Sequence, residues 1–203
     1  IVTGGTLSIT SGGGASTGKP SSGSAKGIKA QTYIIVDGGT TTIDAGDDAI
    51  HSGGALRLSS GTITAASGDD GVHTEVAAVL DGANVTVTQS NEALEGGLIT
   101  ISDGTVDLTS SDDGINASGS ITVEAGLAAA ESSSDSATTT DTTTTTQQMG
   151  PGGMADGGGS MEDTGEQLTI TGGTVTVNAN GALDSNGTMS ITGGTVIAFA
   201  TGE

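Results

Sequence analysis

Hydrophobic and polar residues alternate in short runs along most of the chain, and these runs recur at a nearly constant interval. The clearest marker is one apolar residue in each repeat, found at Ile28, Ile50, Val72, Leu94 and Ile115 and again, after an interruption, at Leu183. The steps between the first five are 22, 22, 22 and 21 residues. A fixed period of this length is typical of proteins built from stacked structural repeats.

Two further tracks keep the same register. One is a Gly-Thr pair followed by alternating residues, at positions 39–40, 61–62, 104–105, 173–174 and 194–195. The other is a pair of apolar residues two positions apart, at Ile34 and Val36, Leu56 and Leu58, Ala78 and Leu80, Ile99 and Ile101, Ile121 and Val123, Leu168 and Ile170, and Met189 and Ile191. Alternation with a period of two indicates strands that bury one face.

Each repeat therefore holds three short extended segments, separated by bends that are rich in glycine or aspartate. No segment shows the 3.6-residue period of a helix, and the leucine-rich repeat needs Leu and Asn at offsets that this sequence lacks. The pattern predicts an all-β fold, a right-handed three-sided parallel β-helix (β-solenoid) with about 22 residues per coil. We expect a single domain over residues 1–203, with coils stacked about 4.8 Å apart.

Two insertions interrupt the repeat. Residues 11–24 lengthen the first turn, and a longer excursion covers residues 128–166. The longer one contains a threonine run and a Gly/Met stretch, which is the composition of a flexible or disordered segment. The alternative is that it folds over the flank of the β-helix, with Met149, Met154 and Met161 as apolar anchors.

The charge balance limits the classes of partner. The chain has 24 acidic and four basic residues and a formal net charge of -20. This argues against nucleic acid, which requires a basic surface, and against attraction to an anionic membrane. No apolar run is long enough to span a bilayer, so we expect no membrane insertion. The Thr, Ser, Gly and Asp richness with few lysines indicates a secreted protein, extracellular or at the cell surface.

Stacking in register would pile acidic residues into two columns in one bend. The first column contains Asp47, Asp69, Asn91 and Asp112, and the second contains Asp48, Asp70, Glu92 and Asp113. Two bare carboxylates about 4.8 Å apart repel by roughly 3 kcal/mol at an effective dielectric constant near 20. Calcium, which accepts six to eight oxygen ligands, is the cofactor that best relieves this repulsion. The alternative is that the Asp-Gly pairs only form turns and their side chains extend into water.

Basic residues border these columns. Lys26 stands where a member of the acidic pair would be expected to repeat, and we expect it to cap that end. A third column contains Lys29, His51, His73, Glu95, Asn116 and Asp184, which we expect to point outward. His51 and His73 would lie one coil apart, as a transition-metal pair requires, although paired surface histidines usually bind no metal.

Several segments together resemble a known family. They are Gly-Asp-Asp-Gly-Val-His at 68–73, Ser-Asp-Asp-Gly-Ile-Asn at 111–116, the run from 170 to 187, and Gly-Pro-Gly-Gly-Met at 150–154. The chain is similar to the clostridial carbohydrate-binding-domain family of calcium-containing β-helix proteins. The resemblance implies pectate-lyase-like topology, bound calcium, and binding of acidic plant polysaccharides and cellulose. It also implies calcium ligands among residues 47–48, 69–70 and 112–113, with Asn91 and Glu92 in a variant coil.

Three functions are consistent with this reading. The first is calcium-dependent, non-catalytic binding of an acidic polysaccharide such as polygalacturonate, or of cellulose. The second is a structural subunit of a surface layer or filament, assembled end to end through open β-helix edges. The third, a polysaccharide lyase, is less well supported because the chain offers only Arg57 and three lysines as strong bases.

Overall fold

The computed structural model describes residues 1–134 and 165–201, and within them the chain forms a parallel β-solenoid. Its strands are β1 (Thr6–Ser11), β2 (Ile28–Ala30), β3 (Tyr33–Ala45), β4 (Ile50–Ser52), β5 (Ala55–Ser67), β6 (Val72–Gln89), β7 (Leu94–Thr109), β8 (Asp113–Ala117), β9 (Gln167–Ile170), β10 (Thr174–Ala179), β11 (Gly181–Ser185), β12 (Thr188–Ile191) and β13 (Thr195–Ala200). A short 3₁₀ helix (Ala15–Thr17) and one α-helix, α1 (Val123–Ser134), complete the described elements.

The strands form three parallel faces. Face 1 contains residues 33–36, 55–58, 77–80, 98–101, 167–170 and 188–191. Face 2 contains residues 6–11, 40–45, 62–67, 84–89, 105–109, 174–179 and 195–200. Face 3 contains residues 28–30, 50–52, 72–74, 94–95, 113–117 and 181–185.

This arrangement confirms the predicted three-sided coil of about 22 residues. On face 3, for example, Ile28 pairs with Ile50 and Ile50 pairs with Val72, which places each residue beside its equivalent in the next coil. All of the strand pairs are parallel, as a solenoid requires. The right-handed sense of coiling stays a prediction.

The core is a stack of aliphatic side chains, one layer per coil. Its largest fully buried members are Ile43, Ile50, Leu56, Leu58, Ile63, Leu80, Leu94, Ile99, Ile101, Leu108, Ile115 and Leu168. The two aromatic residues, Tyr33 and Phe199, are both more than half exposed. The core of the described residues is therefore filled by aliphatic side chains without aromatic rings.

The corner between faces 1 and 2 requires glycine, because the backbones of adjacent coils approach each other closely there. Gly61 has a φ of 91°, and a Cβ there would lie 2.7 Å from the carbonyl oxygen of Gly39 in the preceding coil. Gly39 repeats the arrangement against Gly5. A side chain at either position would both strain the backbone and force adjacent coils apart.

The prediction that Ile121 and Val123 continue face 1 is wrong. Face 1 passes directly from β7 to β9, with Ile99 paired to Leu168 and Ile101 paired to Ile170. Ile121 and Val123 are instead 42% and 48% exposed, and Val123 begins α1.

Competition between two similar segments explains the error. Both have apolar residues two positions apart, but face 1 has room for only one strand at this level, and Leu168 and Ile170 are completely buried there. The chain therefore leaves the stack after β8 and returns at β9. Helix α1 packs against β6, where Gly126 lies close to Val76. Residues 135–164, including Met149, Met154 and Met161, lie outside the described residues. Neither helix of the described part is long and apolar enough to cross a membrane.

We expect Ile170→Ala to lower the free energy of unfolding by about 2–5 kcal/mol, because it leaves a cavity in a tightly packed layer. The matched variant Val123→Ala should change it by less than about 1 kcal/mol, since that side chain is half exposed. Urea unfolding followed by circular dichroism measures both. Equal losses would contradict the assignment of β9 to face 1.

Candidate functional site

The bend between faces 2 and 3 carries the predicted acidic columns, which we call the acidic ladder (residues 47–48, 69–70, 91–92 and 112–113). Main-chain hydrogen bonds hold successive bends in register. The amide of Asn91 donates to the carbonyl of Asp69 at 2.6 Å, and the amide of Asp112 donates to that of Asn91 at 3.0 Å. The carboxylates are therefore stacked one above another, as the repeat predicts.

The carboxylates of the second column also tie neighbouring coils together. Asp48 Oδ1 accepts a hydrogen bond from the amide of Asp70 at 3.4 Å, and Asp70 Oδ1 accepts one from the amide of Glu92 at 3.3 Å. Each acid thus binds the main chain of the next coil. These contacts direct one oxygen of each carboxylate along the solenoid axis.

Lysine side chains neutralise one end of the ladder. Lys26 Nζ donates to Asp47 Oδ1 at 3.0 Å and to Asp48 Oδ2 at 2.5 Å, so Lys26 lies at the end where it was predicted. Lys19, from the first insertion, pairs with Asp69. The contact made by Lys19 could not be predicted, because it joins residues 50 positions apart and depends on the path of the insertion.

Asp48 has the most strongly perturbed carboxyl group of the ladder. It is almost completely buried, which by itself would raise its pKa. The hydrogen bond from His51 and the charges of Lys26 and His73 outweigh burial and hold the pKa of Asp48 far below its usual range. This carboxylate therefore stays ionised inside the protein.

The two histidines turn toward the ladder. His51 Nδ1 lies 2.8 Å from Asp48 Oδ2, and the side chain is only 3% exposed, so the prediction that it is a surface histidine is wrong. His73 Nδ1 lies 3.2 Å from both Asp70 Oδ2 and Glu95 Oε2. Burial would lower the pKa of His73, but these carboxylates and Asp48 raise it to about 9.

Further along the stack the acids are balanced less completely: His73 contacts Glu95, and no lysine pairs with Glu92 or Glu95 among the described residues. Burial, followed by the charge of Glu95, raises the pKa of Glu92 to about 7. Burial also raises the pKa of Glu95 to about 7, although the charge of His73 opposes the shift. Asn116 Nδ2 donates to Glu92 Oε2 at 3.2 Å, while Asn116 Oδ1 is buried without a partner in the described part of the chain.

The predicted calcium ligands do not all come together. Asp47, Asp48 and Asp69 present oxygen atoms within 4.8 Å of one another. Asp70 belongs to a different group, with His73 and Glu95. Among the described residues, Glu92, Asp112 and Asp113 join no group of this kind, and Asn91 and Asp112 are exposed.

Comparison with known proteins gives one result. A family model described as "Carbohydrate-binding domain-containing protein" matches the chain over residues 1–71 and 72–203, which together are the whole sequence. No curated protein and no solved structure matches the chain significantly.

We expect the metal-free protein to lose stability as the pH rises from about 5 to 9. Glu92 and Glu95 have pKa values of about 7 in the folded chain, whereas the ordinary value is 4.5. Between pH 4.5 and about 7, the folded state therefore binds protons that the unfolded state has lost. His73 does the same between 6.5 and about 9. A state that binds more protons is favoured at lower pH, so the free energy of unfolding falls across this window.

Urea denaturation in the presence of a chelator at pH 5, 7 and 9 measures this dependence. Glu95→Gln should flatten the lower part of the curve, because it removes one of the two carboxyl groups that titrate there. A stability that stays constant or increases between pH 5 and 9 would contradict the electrostatic description of the ladder.

Proposed function

The chain belongs to the carbohydrate-binding domain-containing protein family, and from this premise we propose that it binds extracellular acidic polysaccharide through calcium, without catalysis. Family membership indicates that the ligand is a carbohydrate. The observation that carries the finer proposal is the acidic ladder, a stack of carboxylates on one bend of the solenoid. Polygalacturonate, a polymer of sugar carboxylates, is the class of ligand that suits this stack of carboxylates.

The carboxylates of Asp47, Asp48 and Asp69 are close enough to share a calcium ion, which would have to displace the ammonium groups of Lys19 and Lys26 that now contact them. Two ligands of one calcium, each about 2.3–2.6 Å from it, can be at most about 5 Å apart. The three carboxylates meet this limit, since their ligand atoms lie within 4.8 Å of one another. Calcium also takes main-chain carbonyl oxygens, which the stacked bends supply.

Charge explains why a cation would be needed for an acidic glycan. The chain has a formal net charge of -20, so it repels a polyanion in solution. A uronate carboxylate would have to reach the ion from the side of Asp69, whose side chain is 16% exposed, because Asp47 and Asp48 are buried. Binding would then depend both on calcium and on the carboxylates of the glycan.

Three of the four Lys and Arg residues, namely Lys19, Lys26 and Arg57, are paired with acids, which favours a non-catalytic role. Abstraction of a proton from a sugar ring needs an available strong base. Lys26 is occupied by Asp47 and Asp48, and Arg57 donates to Asp81 Oδ2 through Nε at 2.9 Å and Nη2 at 2.5 Å. These contacts keep the guanidinium and ammonium groups protonated and engaged.

Face 1 favours a second kind of glycan, the uncharged cellulose chain. Tyr33, Ile35, Arg57 and Val79 line a shallow groove of about 360 Å³ on its outer surface. The exposed ring of Tyr33 offers an apolar platform of the sort on which the faces of sugar rings pack. Tyr33→Ala should then weaken retention on cellulose and leave retention on polygalacturonate unchanged.

End-to-end self-association is the alternative function. Met189 and Ile191 occupy positions equivalent to the buried Leu168 and Ile170, yet they are 43% and 47% exposed. Another coil stacked on β12 and β13 would bury them, and a second copy of the chain could supply it. Sedimentation velocity that shows one species at all concentrations would contradict this role.

For the principal proposal, we expect a chelator to abolish retention of the protein on immobilised polygalacturonate, and added calcium to restore it. Asp69→Asn should weaken retention about tenfold, because it replaces a charged carboxylate ligand of the group by a neutral amide oxygen. Asp107→Asn, which removes the same charge from the exposed outer surface of face 2, should have little effect. Affinity electrophoresis with and without calcium measures the retention of the unmodified protein and of the two variants.

Retention that persists unchanged in chelator would disprove the calcium bridge. Equal weakening by Asp69→Asn and Asp107→Asn would show that net charge, and not this group of carboxylates, controls binding.

A further inference from the structure

The two histidines of the chain lie next to each other because of the coil register. His51 in β4 pairs with His73 in β6, and their ring centroids are 4.8 Å apart with the planes tilted by 53°. They are the only histidines in the sequence, which also contains no cysteine. Both imidazole ligands of the chain, the side-chain donors that suit zinc, are therefore concentrated at this one place.

His51 has an unsatisfied nitrogen atom. Its side chain is only 3% exposed, and its Nδ1 atom lies at hydrogen-bonding distance, 2.8 Å, from Asp48 Oδ2. Nε2 is buried and has no hydrogen-bond partner among the described residues. A buried polar atom without a partner costs about 1–3 kcal/mol, so it points to an ion or a water that completes the site.

Carboxylates surround the second ring. His73 Nδ1 lies 3.2 Å from Asp70 Oδ2, 3.2 Å from Glu95 Oε2 and 3.9 Å from Asp48 Oδ2. On the other side of the ring, Nε2 lies 3.8 Å from Glu75 Oε1. A histidine ligand commonly has a carboxylate on its second nitrogen, which fixes the orientation of the ring, and both histidines already have such a neighbour.

The donor atoms are close enough for one ion. Those of Asp48, His51 and His73 lie within 4.8 Å of one another, and so do those of Asp70, His73 and Glu95. A tetrahedral zinc ion with bonds of about 2.0–2.2 Å needs its ligands about 3.4 Å apart, so side-chain rotations of about an ångström would suffice.

We infer that His51 and His73, together with Asp70 and Glu95, form a binding site for a divalent transition-metal ion of the zinc class. His51 would ligate through its unpartnered Nε2, while Asp48 orients the ring from Nδ1. Imidazole nitrogen favours zinc, copper and nickel, whereas calcium takes oxygen ligands. The ladder thus contains two chemically different groups. Asp48 lies in the all-oxygen group and orients a ring of the mixed one, Asp47 and Asp69 lie only in the all-oxygen group, and the histidines only in the mixed one.

Zinc titration of the full chain, stripped of metal by a chelator and then kept in excess calcium, tests this inference. We expect one zinc ion per chain, bound with a shift of both imidazole signals in the proton NMR spectrum. Because the chain has two histidines, these signals are directly assignable with His51→Gln and His73→Gln. Each of these variants should weaken zinc binding at least about 100-fold.

Asp69→Asn serves as the matched control, since it should weaken calcium binding and leave zinc binding unchanged. Calcium affinity and circular dichroism of the histidine variants show whether they fold normally. Zinc binding that leaves the imidazole signals unmoved, or that survives in both histidine variants, would overturn the inference. So would an absence of zinc uptake in excess calcium. Retention on polygalacturonate is measured separately, so failure of either proposal is recognisable.

Discussion

Each coil of this protein lies against a copy of itself, so the nearest neighbour of most side chains is the equivalent side chain about 4.8 Å away. For Ile, Leu and Val this is favourable, because like shapes pack into continuous columns in the core. For aspartate and glutamate the same geometry is unfavourable, because like charges are held together by the backbone. The acidic ladder exists because the fold imposes this spacing on a polar bend as firmly as on the core.

The ladder meets this constraint differently along its length. At one end, Lys19, Lys26 and the two histidines bring positive charge between the carboxylates, and Asp48 remains ionised despite its burial. At the other end, Glu92 and Glu95 reduce the repulsion by retaining protons near neutral pH. The protein's own cations therefore balance only part of the charge.

Most of the fold could be predicted because its signal is local and repeated. The three tracks of apolar residues determine the faces, and the recurring Asp-Asp pairs determine the ladder. The prediction was wrong for Ile121 and Val123, because a second segment with the same alternation, ending at Ile170, occupies that rung. Periodicity cannot decide between two candidates for one position. The burial of His51 was also missed, since it depends on where side chains turn at a bend.

The excursion after β8 has a consequence for the order in which the stack can form. Ile99 pairs with Leu168, more than three times as far along the chain as Ala78 is from its partner Ile99. Closing the longer loop costs about 1 kcal/mol more in chain entropy than closing an ordinary coil. The contiguous coils from β3 to β7 pair residues that are near each other in the sequence. We therefore expect these coils to assemble first and to serve as the template on which the last two coils form.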